Sequence, residues 1–341
     1  MTLQAAPGSA VPAPRILPDR LVSPLRRFAT SWEALLLAVA AAVFVANALA
    51  SPYFLDVWNL SDATFNFTEK SIVALAMAFV IMAGEIDLSV GGIVALCSTA
   101  MGEAAAAGLG TPGLVAVGLG VGAACGLFNG LLVARLGLPS IMATIGTMSL
   151  YRGLSYLALG DGVLKGYPAD FAWFGQGYAW GPLSVEFACF LALSAVAGVA
   201  LHRTVFGRAV RAIGSNAFAA LFSGLRVGRI RVVLFVLTGL ASGLAAVMLT
   251  GRLGSTRPSI ALGWELDVVT IVVLGGVSIQ GGSGTMPGVV IAAFVMGLVT
   301  YGLGLLNVPG IVMSIVVGAM LIGTIALPIL VGRALRRRRT A

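Results

Sequence analysis

The chain has 341 residues, of which 59% are hydrophobic and only 10% charged, with a formal net charge of +8 and a mean hydropathy of +1.01. A soluble domain carries about 25% charged residues, so this chain lacks the polar surface to cover itself in water. A soluble globular protein is excluded, and the excess of arginine reads as orientation in a membrane, with no nucleic acid expected as a partner. Apolar runs recur at spanning length without the two-residue alternation of barrel strands. The expected fold class is therefore an all-α integral membrane protein.

In chain order, residues 1–30 carry Arg15, Arg20, Arg26 and Arg27 but no apolar core of a cleaved signal. They are expected as a cytoplasmic amino-terminal tail, with the first span serving as the membrane-entry signal. About ten spans are expected in a transmembrane domain over 31–331, near 32–50, 67–84, 88–108, 113–134, 139–159, 183–201, 231–251, 266–280, 286–304 and 309–331. Residues 332–341 form a basic carboxy-terminal tail. With the amino terminus inside, 16 of the 21 lysines and arginines fall on the cytoplasmic side. The positive-inside rule then places both termini in the cytoplasm.

Gly118, Gly122, Gly126 and Gly130 form a ladder with one glycine every four residues, which lets a neighbouring helix backbone approach closely. Cys97, Cys125 and Cys189 all lie in apolar spans and read as small hydrophobes, with neither a disulfide framework nor a metal site expected. The two halves echo each other. "GEIDLSVGGIVAL" at 84–96 resembles "WELDVVTIVVLGG" at 264–276, and "LPSIMATIG" at 138–146 resembles "VPGIVMSIV" at 308–316. Five spans separate the partners in each case, an odd number, so the halves are expected as inverted repeats.

Several chemistries lack their residues. The only lysines are Lys70 and Lys165, and neither follows a phosphate-binding loop. No zinc-protease or nucleophile-elbow motif occurs, and the sole histidine, His202, sits at a span edge. No catalytic residue and no metal ligand is expected.

Glu85 and Asp87 lie at a span boundary, where lipid burial of a charge costs roughly 2.5 kcal/mol or more. Asp87 with Ser89, next to Gly91 and Gly92, suits a helix amino-terminus, and a pathway role is the alternative. Thr144, Thr147, Ser149 and Arg152 are polar within span five and candidates for lining a pathway, with Arg152 expected to snorkel. The loop 160–182 holds Tyr167, Phe171, Trp173, Phe174, Tyr178 and Trp180, expected as an interfacial aromatic belt. The run "GGVSIQGGSGTMPG" at 275–288 reads as a re-entrant turn at the cytoplasmic end.

The stretch "GRAVRAIGSNAFAALFSGLRVGRIR" at 207–231 is polar and arginine-rich, and no acidic residue occurs between Glu186 and Glu265. Phe218, Leu221, Phe222 and Leu225 follow helical spacing, Ser215 or Asn216 can cap the start, and Gly224 can stop it. Such a helix could rest on anionic headgroups, set topology or dock into a soluble partner.

This stretch, together with "AGEIDLSVGGIVAL", "LPSIMATIGTMSLYRGLSYL", "VVLGGVSIQGGSGTMPG" and "VPGIVMSIVVGAMLIG", resembles bacterial sugar ABC-importer permeases of the ribose-permease family. The resemblance runs in order from about Trp32 to the last span. It implies a bacterial inner-membrane permease that pairs with a second permease chain, a cytoplasmic ATPase and a periplasmic sugar-binding protein. ATP and Mg would be used by the ATPase, with no cofactor bound by this chain. The segment 203–231 would then be the cytoplasmic coupling segment, with Gly207, Arg208, Gly214, Asn216, Phe218, Leu221, Phe222 and Gly224 engaging the ATPase. "SPYFLDVWNLSDATFNFTEK" and "GYPADFAWFGQGY" look most like rhamnose permeases, with ribose and autoinducer-2 permeases the alternatives. An ion-coupled secondary transporter is the rival class, for which Glu103, Asp87 and Asp267 are the titratable candidates.

Overall fold

A computed structural model describes residues 31–340, with side chains described from 31 to 326. The expected tail 1–30 and its four arginines lie outside the described residues, as do the side chains of Arg333 and Arg336 to Arg339.

A helix stands at each expected span. Helix α1 (Trp32–Ala50) starts at Ser31, whose Oγ accepts from Ala34 N–H. The short α2 (Val57–Phe65) is capped by Asp56 and bends by 51° into α3 (Thr68–Met82). Then come α4 (Val90–Ala106), α5 (Thr111–Ala134) and α6 (Ser140–Leu159). A loop follows with strand β1 (Leu164–Lys165), a 3-10 turn (Ala169–Ala172), the single-turn α7 (Trp173–Gln176) and the hairpin β2 (Tyr178–Trp180) and β3 (Leu183–Ser184). Helices α8 (Val185–Arg203), α9 (Val205–Ser215), α10 (Ala217–Phe222) and α11 (Val227–Leu253) come next. Strand β4 (Ser255–Thr256) pairs antiparallel with β1 and precedes α12 (Trp264–Leu274), α13 (Met286–Leu305) and α14 (Gly310–Thr340). Helix α14 continues through the basic end that reads in sequence as a separate tail.

Among the described residues five helices, α1, α5, α8, α11 and α13, are long and apolar enough to cross a membrane, and the bent pair α2–α3 makes a sixth. The chain is an all-α membrane protein. Helix α12 is a correction: the span expected over 266–280 ends as a helix at Leu274, because the glycines from Gly275 onward do not sustain it. Its 11 residues rise about 16 Å, roughly half of a bilayer's apolar core.

The core is built around α3, almost every residue of which is buried, and around the pair α5–α11. The glycine ladder of α5 faces Gly239 and Gly243 of α11. A Cβ at Gly122 would overlap Gly239 O and stand 3.0 Å from Gly243 Cα, while one at Gly130 would stand 2.9 Å from Val232 Cα. The two backbones touch, so these positions admit no side chain. Cys97 and Cys125 are buried, Cys189 is half-buried, and all three are free thiols.

Helices α4 and α12 meet at their amino-terminal turns, where Gly91 leaves no room beside Glu265 Oε2 and Ala261 O. From there α4 runs toward β1 and β4, bringing Gly102 against Leu164 and Thr256. Helix α12 runs the opposite way, toward the end of the bundle that carries α9, where Trp32 Nε1 donates to Leu274 O at 2.8 Å. Each is preceded by non-helical chain, 83–89 and 257–263. At the far end, adjacent residues of α3 hold two neighbours: Glu69 pairs with Arg252 at 2.9 Å and Lys70 with Asp267 at 2.5 Å.

Candidate functional site

The basic stretch folds as two helices and a turn. Thr204 caps α9 by accepting from Gly207 N–H at 3.3 Å, and Gly207 sits so tightly on Leu201 O that a Cβ there would overlap it. This fixes the elbow between α8 and α9. The apolar side of α9, with Val210 and Ile213, is buried, and Arg208 projects outward. Asn216 caps α10, its Oδ1 accepting from Ala219 N–H at 2.9 Å, while Ser215 Oγ donates to Arg211 O. Gly224, at φ 86°, ends it in the left-handed conformation that a side chain disfavours.

Helix α10 is shorter than the 215–225 stretch read from the sequence, and this changes its stripe. Phe218, Leu221 and Phe222 are 77%, 55% and 89% exposed, whereas Leu225 lies beyond the turn and packs on the core. Three apolar side chains thus stand exposed on one short helix, and Arg208, Arg226 and Arg229 are exposed in the chain on either side of it.

Beneath α9 the chain makes two non-helical turns, 83–89 between α3 and α4 and 275–285 between α12 and α13. The second is bonded to the end of α3, immediately ahead of the first, where Gly282 N–H donates to Met82 O at 2.8 Å. Glu85 lies 2.8 Å from Arg231 Nε at the start of α11, an ion pair by proximity whose N–H is not aimed at the carboxylate. The second turn ends where Thr285 caps α13 and donates to Glu33 Oε1 of α1 at 2.7 Å.

Asp87 is fully buried and belongs to a chain of hydrogen bonds. Its Oδ1 accepts from Ser89 N–H at 2.9 Å and Ser89 Oγ at 2.6 Å; Asn129 donates to Ser89 Oγ, and Tyr151 donates to Asn129 Oδ1. Ser89 is the residue at the helix boundary, so Asp87 closes a local turn ahead of α4 and ties it to α5 and α6. Asp87 Oδ2 is buried, with no partner among the described residues.

Thr144 and Thr147 are buried at the α4 side of α6, where Thr144 Oγ1 donates to Ser140 O at 2.8 Å and Thr147 Oγ1 to Thr144 O. Ser140 Oγ receives Ile86 N–H, fastening the first turn to α6. Arg152 corrects the snorkelling expectation. Its guanidinium donates to Pro258 O at 2.7 Å and Ile260 O at 3.0 Å, holding the loop that leads into α12. The aromatic loop also divides: Trp173 and Trp180 are exposed, whereas Phe171 is completely buried and stacks with Tyr167 at 5.3 Å.

The residues expected to engage the ATPase lie together at one end, and Asp87, Ser89, Thr144, Thr147 and Arg152 lie deeper, around the start of α4. Gly84, Gly281 and Gly282 join the first group without having been singled out in sequence. Their signal was the glycine clustering around two span ends.

Residues 59–325 match the family described as branched-chain amino acid transport system / permease component. The chain belongs to this family of membrane permeases. It is 35% identical to the L-arabinose ABC transporter permease protein of Azospirillum brasilense, over 89% of this chain and 91% of that one. It is 34% identical to the ribose import permease protein of Bacillus subtilis, over 80% of this chain and 85% of that protein. The autoinducer 2 import system permease protein of Salmonella typhi is also 34% identical, over 93% of this chain and 95% of its own length. No solved structure matches the chain.

Proposed function

We propose that this chain is the permease subunit of an ATP-driven importer of a monosaccharide in the bacterial inner membrane, with both termini in the cytoplasm. The observation that carries the reading is the exposed patch of Phe218, Leu221 and Phe222, in an arginine-rich segment at the end of the bundle where both helix turns meet. An apolar patch on a capped helix suits a groove in a soluble partner better than headgroups, because its three side chains stand clear of the bundle. The ATPase, with its ATP and Mg, binds there. The loaded periplasmic binding protein docks at the opposite end, near the exposed Trp58 and Trp180.

Ten spans in two inverted halves are part of this reading, and the opposed courses of α4 and α12 support them. A second permease chain packs on the outward face of α6. There Gly146 and Gly153 have nothing within 4 Å, and Met142 and Leu157 are 73% and 83% exposed. Small residues on such a face favour close helix association. ATP-driven closure of the ATPases moves α9 and α10, and the helices they touch switch access across the dimer.

The sugar is the least determined part. The rhamnose lean rests on the resemblance of the α2 and aromatic-loop segments, and the arabinose, ribose and autoinducer-2 relatives support their own substrates equally. The deciding experiment combines the chain with a candidate ATPase and a candidate periplasmic binding protein from the same organism. Calorimetry on the binding protein with rhamnose, arabinose, ribose and autoinducer-2 names the ligand, and ATP-dependent uptake of that ligand into proteoliposomes is expected. Uptake that needs a proton or sodium gradient and no ATP would refute the proposal.

A further inference from the structure

Gly214, in the last turn of α9, is wedged between the two turns beneath it. A Cβ at Gly214 would overlap both Met82 O and Gly282 N, and these two atoms are themselves joined by a hydrogen bond of 2.8 Å. A Cβ at Gly281 would stand 2.9 Å from Gly84 N and 3.0 Å from Gly214 O, and one at Gly282 would stand 3.1 Å from Ser215 Cα. Three backbones therefore meet with no side chain between them: the end of α9, the turn after α3 and the turn before α13.

Contacts made by side chains absorb small displacements by changing rotamer. Contacts made by backbone do not, and packed interiors are bistable rather than continuously deformable. A push on α9 has to be taken up by both turns at once. One turn leads into α4 and the other follows α12, the two helices whose amino-terminal turns abut at Gly91 and Glu265. Arg231 beside Glu85 tethers the first turn to the start of α11, on the other side of α10.

We infer that Gly214 is a positioning residue for transport: it is the joint through which movement of α10 reaches α3–α4 and α12–α13 together. This rests on the reading of the chain as an ATP-driven permease, and it assigns a specific residue to the passage of force within it.

The test uses the whole transporter, permease with ATPase and binding protein, in lipid nanodiscs and proteoliposomes. Gly214 faces Met82 and Gly282 within the chain, and hydrolysis by the assembled Gly214→Ala transporter is read against that complex's own basal rate. Stimulation of hydrolysis by loaded binding protein and uptake should both fall about tenfold or more, within the range that loss of a coupling between sites produces. Gly198→Ala, in α8 with nothing within 4 Å, is the matched helical substitution and should leave both readouts unchanged. Stimulation and uptake by Gly214→Ala within about twofold of the unmodified protein would overturn the inference.

A second measurement needs no variant, in case Gly214→Ala does not assemble. Hydrogen exchange on the unmodified complex, with and without nucleotide trapping, should show the amides of 83–89 and 278–285 changing protection together. A change in one turn alone, or in neither, would equally overturn it. Failure of the functional reading looks different: the unmodified chain would then capture no ATPase, and the joint would fall with it.

Discussion

Truncating the exposed aromatics of α10 should detach the ATPase while leaving the permease intact. Phe218 and Phe222 are 77% and 89% exposed, so their removal takes no packing from the bundle and should shift its stability by less than about 0.5 kcal/mol. In a partner groove each ring would bury about 150–250 Å², and a buried interface aromatic typically costs about 2 kcal/mol or more on truncation. The double variant Phe218→Ala with Phe222→Ala should therefore lose about 4 kcal/mol of binding, nearly a thousandfold in Kd. The assay is titration of fluorescently labelled permease in nanodiscs with purified ATPase, with size-exclusion profiles to confirm the fold. Leu225→Ala is the informative companion. Leu225 packs on the core instead of standing in solvent, so it should lower thermal stability and leave Kd nearly unchanged. A double variant that binds within about threefold of the unmodified Kd would refute the docking argument, since two lost anchors cannot cost so little.

Four further outcomes are expected. A cysteine replacing Lys165 should react with an impermeant thiol reagent from outside the cell and one replacing Ser215 only from inside; the reverse pattern would invert the topology. Gly126→Val should destabilise the protein by about 1–3 kcal/mol or prevent its accumulation, because its side chain would run into Phe235 O, whereas Gly120→Ala, in open space, should melt like the unmodified protein. Arg152→Ala should lower the melting temperature, since charge-assisted hydrogen bonds are worth about 1.5–3 kcal/mol each and the loop 258–261 loses two; an unchanged melting curve would return Arg152 to a snorkelling role. Asp87→Asn should keep most uptake, because an amide oxygen can still accept from Ser89, and complete loss in a well-expressed variant would point to a charge-dependent role.

How far these features show in sequence depends on the range over which they are determined. The glycine ladder of α5 is legible because its four-residue spacing is local, and α11 meets it with its own glycines. The cap at Asn216 and the stop at Gly224 are local as well. The end of α12 is less so: the run remains apolar through Ile279, and hydropathy does not register where helical hydrogen bonding ceases. Arg152 and its acceptors are more than a hundred residues apart, which span-by-span reading cannot join, so snorkelling was the natural expectation. The same holds for Glu69 and Arg252, and for Glu85 and Arg231. Adjacent opposite charges at Glu69 and Lys70, opening a buried helix, were the available hint that each side chain had a distant partner.

These pairings bear on the rival reading of an ion-coupled transporter, which needs a titratable side chain poised on an accessible path. Of the three candidates, Asp267 and Asp87 have local tasks and Glu103 is exposed. Asp267 is neutralised by Lys70 at 2.5 Å, and that ammonium also lies 5.6 Å from the Trp264 ring centroid, so the pair holds α3 to α12. Glu103 is exposed on the last turn of α4, away from the buried start of that helix. Asp87 is the strongest remaining candidate, being buried with one oxygen free, yet its other oxygen orders the turn that leads into α4. The network beyond it, through Asn129 to Tyr151, joins three helices at the point where the first turn is fastened to α6 by Ser140. An ion taken up at Asp87 would act on the same carboxylate that orders this turn through its bonds to Ser89. In an ATP-driven permease the same turn is gripped from below by α9 and needs its stiffness to transmit movement, and the observed bonding suits that requirement.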